Sequence, residues 1–149
     1  MTPQAPDNNT TLVLRRTFTA SRERVFHAWI SPVALERWLR PRGMAMTVSK
    51  LDVRVGGSFF FDLENGSSIV GTYLQIVPPE KLVFTWSAGA APSQETVVTL
   101  DFLDQGAVTE LVLTHEHLGT EARRARAEGG WSSLFDALAS VLSSPHLAW

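Results

Sequence analysis

Hydrophobic and polar positions change rhythm three times along the 149 residues. After a polar start, "TLVLRRTFTA" alternates in the manner of a β-strand, and Ser21 stands where a helix cap belongs ahead of "RERVFHAWI". Val25, Phe26 and Trp29 then share one side of that helix. Ser31 caps a second short helix with Pro32 at its first position, Leu35, Trp38 and Leu39 on one face, and Pro41 ending it.

From Met46 to Glu116 the period becomes two, broken by turn signals at "VGG", "ENGSS", "VPPEK", "AGAAPS" and "DQG". The expectation is five strands in an antiparallel meander. Leu82, Phe84 and Trp86 share a face, as do Val98, Leu100 and Phe102. In the last strand Leu111, Leu113 and His115 line one face, with Glu110, Thr114 and Glu116 opposite. The closing segment returns to a helical period, with Trp131, Leu134, Phe135, Leu138 and Leu142 as its apolar stripe. Gly129 and Gly130 interrupt this helix at about 1 kcal/mol each relative to Ala, which predicts a close packing contact or a kink there. The pattern predicts an α+β fold with helices on one face of a curved antiparallel sheet.

Three consecutive aromatics, Phe59, Phe60 and Phe61, conflict with simple alternation unless the inner face is covered. With the last helix against that face, Phe59, Phe61 and Leu63 point inward and Phe60 and Asp62 outward. Gly56 and Gly57 permit the sharp entry into the strand.

Composition narrows the function classes. Thirteen Lys and Arg against fifteen Asp and Glu give a net charge of -2, so no broad basic surface invites nucleic acid. The absence of cysteine removes disulfides, thiolate metal sites and a Cys nucleophile together. Residues 1–11 read as a loose tail with no signal-peptide pattern, residues 12–149 as one domain, and no window is long and apolar enough for a spanning helix; the expected location is cytoplasmic.

Four segments taken together, "VRVGGSFFFDL", "GTYLQIVPPEKLVFTW", "VTLDF" with "TELVLTHEHL", and "GGWSSLFDAL", resemble the SRPBCC, or START-like helix-grip, superfamily. The branch is the one similar to the C-terminal domain of the heat-shock ATPase activator, and the resemblance spans roughly residues 12 to 142. It implies a curved sheet wrapped around the C-terminal helix, closed at one end by the two short helices, with a pocket for lipids, polyketides or other apolar small molecules. It also implies two alternatives. One is a co-chaperone-like module that contacts a chaperone ATPase, or a second copy of itself; the two-domain build of that activator, set beside an eleven-residue tail, argues against its full role. The other is a cyclase- or hydratase-type enzyme using His115. No cofactor is implied.

The aromatics Trp29, Trp38, Phe59, Phe61, Phe84, Trp86, Phe102, Trp131 and Phe135, with Leu100, Leu113 and Leu138, are the expected pocket lining; the competing reading is that they fill the core. His115 either orients a ligand carbonyl or hydroxyl, or is a satisfied histidine at a strand end. His115 and His117 form His-x-His, which sets two imidazoles on one side of a strand but lacks a third metal ligand. The run Arg123 to Arg126 reads as a solvated helix face flanked by Glu121 and Glu128. Catalytic signals are sparse: there is no nucleophile elbow and no phosphate-cradling glycine loop.

Overall fold

The computed structural model describes residues 10–88 and 95–143. Most of the predicted tail, and the "AGAAPS" turn after Ala88, lie outside them. Thr10, counted in the tail, is buried: its hydroxyl accepts from Gly119 N–H at 2.8 Å, and its carbonyl accepts from Leu118 N–H.

The elements run β1 (Leu12–Phe18), α1 (Arg22–Ile30), α2 (Pro32–Trp38), a 3₁₀ turn (Pro41–Gly43), β2 (Met46–Leu51), β3 (Ser58–Leu63), β4 (Ser68–Val77), β5 (Lys81–Ala88), β6 (Thr96–Gln105), β7 (Val108–Glu116) and α3 (Glu121–Leu142). The Met46–Glu116 region holds six strands, not five, since five turns separate six segments. Ser21 and Ser31 cap α1 and α2 by accepting from Arg24 N–H and Ala34 N–H, and Thr120 caps α3 through Arg123 N–H.

All seven strands form one antiparallel sheet in the order β1-β7-β6-β5-β4-β3-β2. The register slips between Val48 and Lys50 and again between Tyr73 and Gln75, two irregularities of the kind that bend a sheet. The helices cover the concave face. Phe135 of α3 meets Phe18 of β1 edge-on at 5.8 Å, Phe26 of α1 meets Phe102 of β6 at 5.2 Å, and Trp38 of α2 donates from Nε1 to the Ala28 carbonyl at 2.9 Å.

Covering that face resolves the phenylalanine triplet. Phe59 and Phe61 are buried and stacked at 4.9 Å, while Phe60 is 38% exposed on the convex side. Opposite Phe59 stands Gly71, where a β-carbon would collide with the Phe59 ring and the Thr85 carbonyl oxygen. A glycine at that point lets the ring lie flat across the neighbouring strand.

Candidate functional site

The core beneath the centre of α3 is closed. Toward the start of α3 it opens into a cleft of about 520 Å³. One wall is sheet: Leu63 ends β3, Ile69 begins β4, Trp86 and Ala88 end β5, and His115 lies near the end of β7. The other wall is α3, through Arg126, Ala127, Gly130, Trp131 and Leu134, and the 3₁₀ turn closes the rim with Pro41 and Arg42. A second groove of about 870 Å³ runs between α2, the 3₁₀ turn and α3, and shares Pro41, Arg42, Arg126, Gly130 and Leu134 with the first.

Gly129 and Gly130 explain how this space stays open. The expectation of a packing contact or kink fails: α3 runs unbroken from Glu121 to Leu142, and a β-carbon at either glycine would meet nothing within 4 Å. The two glycines line the groove, and Gly130 also lines the cleft.

A short polar relay crosses the back of the cleft. Trp131 Nε1–H donates to His115 Nδ1 at 3.1 Å, and His115 Nε2 lies 2.7 Å from Thr96 Oγ1, which donates to the Trp86 carbonyl at 2.7 Å. An indole nitrogen can only donate, so Nδ1 is the acceptor and the ring proton sits on Nε2. The hydroxyl has given its own hydrogen to Trp86, so it accepts from that Nε2–H. His115 is therefore neutral with both nitrogens engaged, and burial lowers its pKa from 6.5 to about 4. The satisfied-histidine reading of His115 describes this geometry, with an indole and a hydroxyl as partners. His117 lies past the end of β7 in left-handed backbone (φ 69°) and is exposed, so the two imidazoles do not share a side. Among the described residues no group of three or more His, Cys, Asp or Glu is placed to hold a metal.

Behind the cleft, Trp86 also borders a gap of about 20 Å³ walled by Trp29, Phe59, Phe61, Tyr73 and Phe84, room for one water-sized sphere. Among the described residues the buried Trp29 Nε1 has no hydrogen-bond partner, and burial pushes the Tyr73 phenol above its ordinary range.

The expected lining thus divides. Trp86, His115 and Trp131 stand on the cleft; Trp29, Phe59, Phe61 and Phe84 surround the small gap; Trp38 borders the groove. Leu100, Phe102, Leu113, Phe135 and Leu138 are buried and border none of these spaces. Sequence reasoning missed Arg42, Arg126 and Gly130. The solvated-face reading holds for Arg124, which pairs with Glu121 at 2.9 Å and Glu128 at 3.1 Å. Arg126 lies two positions further, about 200° around a helix; it too is exposed, and borders the open cleft.

The family model described as Activator of Hsp90 ATPase homolog 1-like protein matches residues 19–143. Among curated proteins none matches the sequence. Protein CV1439 from Chromobacterium violaceum has a similar structure, with TM-score 0.81, 27% identity, and coverage of 90% of this chain and 97% of its own. Protein Ms6760 from Mycobacterium smegmatis gives TM-score 0.80 at 18% identity, covering 96% of this chain and 97% of that one. DynU16, from the dynemicin biosynthetic locus, gives 0.77 at 20% identity, covering 91% of this chain and 48% of its own. The last two likenesses are of fold alone. The α+β helix-grip architecture, a curved antiparallel sheet around a long C-terminal helix, is common to these structures and this chain.

Proposed function

We propose that this chain, which belongs to the Activator of Hsp90 ATPase homolog 1-like family, binds an apolar small molecule in the cleft between the sheet and the first half of α3. The observation that carries the reading is the contrast in packing. The core under Phe135 and Leu138 is filled, yet about 520 Å³ stays open between Trp86, Ile69, Trp131 and Leu134, within the range of small-molecule sites. Trp86 and Trp131, with ring centroids 5.0 Å apart, give the ligand rigid aromatic surfaces.

Nothing in the relay supports catalysis by His115. To take a proton at Nδ1 it must first lose the Trp131 indole, and its lowered pKa opposes holding that proton at neutral pH. Its role in this reading is to fix the Trp131 ring as a wall.

Nile red, an uncharged apolar dye, tests the site. Gly130→Leu adds a side chain where the glycine faces open space, so it fills the cleft without disturbing the core. The variant should fold with an undiminished urea midpoint and bind the dye at least about tenfold more weakly. Unchanged affinity would place the dye elsewhere and overturn the assignment.

A further inference from the structure

The charge around the mouth of the cleft runs against that of the whole chain, whose formal net charge is -2. Arg42 and Arg126 border both the cleft and the groove, and Arg37 and Arg40 border the groove. Among the described residues no Asp or Glu lines either space.

The carboxylates carried by the same helices are engaged elsewhere. Glu36 of α2 accepts from Val48 N–H at 2.8 Å; Glu121 and Glu128 of α3 hold Arg124; Asp136 holds Arg16 at 2.9 Å. Among the described residues none of these four arginines has an ion-pair partner. Arg40 folds back on the turn, donating to the Met44 and Gly43 carbonyls at 3.3 and 3.5 Å. The turn then sets Arg42 in left-handed backbone (φ 54°, ψ 26°), which a side chain larger than Asn seldom adopts. Glycine would take that conformation at no cost, yet arginine stands there, at the rim shared by the two spaces.

The geometry points to an amphipathic ligand. Its apolar part lies in the cleft against the Trp86 and Trp131 rings, and its anionic group, a carboxylate or a phosphate, is held at the rim by Arg42 and Arg126, with Arg37 and Arg40 adding to the field. This rests on the pocket reading above and deepens it. A guanidinium suits the role because its planar fork pairs two donors with two oxygens and stays charged at any physiological pH. At an exposed rim the attraction is screened, so affinity for the anion falls as salt rises, while affinity for a neutral analogue does not.

Three probes of equal chain length, dodecanoate, dodecyl phosphate and dodecan-1-ol, separate the two readings when titrated below their micelle concentrations and followed by tryptophan fluorescence. The anions should bind at least about tenfold more tightly than the alcohol, on the scale of one charge-assisted hydrogen bond. In Arg42→Gln/Arg126→Gln, whose exposed positions leave the urea midpoint unchanged, that preference should shrink to about threefold or less with alcohol affinity kept. The stronger of the two anions identifies the head group. Equal binding of alcohol and anions by the wild type overturns this inference and leaves the pocket reading standing. Loss of all three overturns both, and a preference that survives the double variant also overturns the arginine assignment.

Discussion

Replacing Gly129 and Gly130 together by alanine should make the protein more stable. Both positions lie inside a 22-residue helix, where glycine costs about 0.8 to 1 kcal/mol relative to alanine through backbone entropy of the unfolded chain. Whether that gain is realised depends on space, because overpacking a core costs about 1 to 3 kcal/mol and would reverse the sign. Here the added β-carbons meet nothing within 4 Å, so the propensity difference stands unopposed. Neighbouring positions on a helix do not face one another, and the two gains should add to about 2 kcal/mol. For a domain of this size that raises Tm by roughly 4 to 8 °C. Urea melts give the free energy directly, with an unchanged slope expected. A double variant no more stable than wild type would refute the open-space geometry. The single variants separate stability from function: Gly130→Ala should weaken Nile red binding more than Gly129→Ala, because only Gly130 borders the cleft.

Three further outcomes follow from the structure. His115 has its folded pKa depressed, from 6.5 to about 4, so its contribution is complete above pH 6.5 and is lost as pH falls toward 4. The loss amounts to about 3 kcal/mol, at 1.36 kcal/mol per pKa unit. Urea midpoints of wild type should therefore fall more steeply over that window than those of His115→Gln; parallel curves would refute the desolvated ring. In Trp131→Phe, removing the indole donor frees Nδ1, and NMR titration should show the His115 pKa rising. Gly71→Ala should show the opposite sign to the α3 glycines, losing about 1 to 3 kcal/mol, because its β-carbon strikes Phe59 and Thr85. A neutral result by urea denaturation would mean that the two strands part easily.

Local pattern carried most of the fold. Parity, together with a helix covering one face, placed Phe59 and Phe61 inside and Phe60 outside, and parity set His115 in line with Leu111 and Leu113. Cap chemistry at Ser21, Ser31 and Pro32 marked both short helices. What periodicity reports, however, is which way a side chain faces, not what stands opposite. Leu113 and Phe135 face inward and find a filled core; Trp86 and Trp131 face inward and find a cleft. The partners of His115, Thr96 and Trp131, lie 19 and 16 residues away on another strand and on a helix, a meeting only the tertiary fold creates. Gly129 and Gly130 misled for a related reason. A helix glycine signals a missing β-carbon, and the sequence does not say whether the space left is occupied or empty.

The aromatic packing has an optical consequence. Trp38 lies 4.6 Å from Trp29, Trp29 lies 6.0 Å from Trp131, and Trp131 lies 5.0 Å from Trp86, ring centre to ring centre. These four indoles form an unbroken chromophore array running from the groove wall to the cleft. At such separations excited states are shared and energy hops between rings faster than it is emitted. Light absorbed anywhere along the array samples its whole length, so a quencher in the cleft should dim even the tryptophans that never touch it. The protein thereby carries its own unlabelled reporter: occupancy of the cleft should be visible in emission yield and in near-ultraviolet circular dichroism.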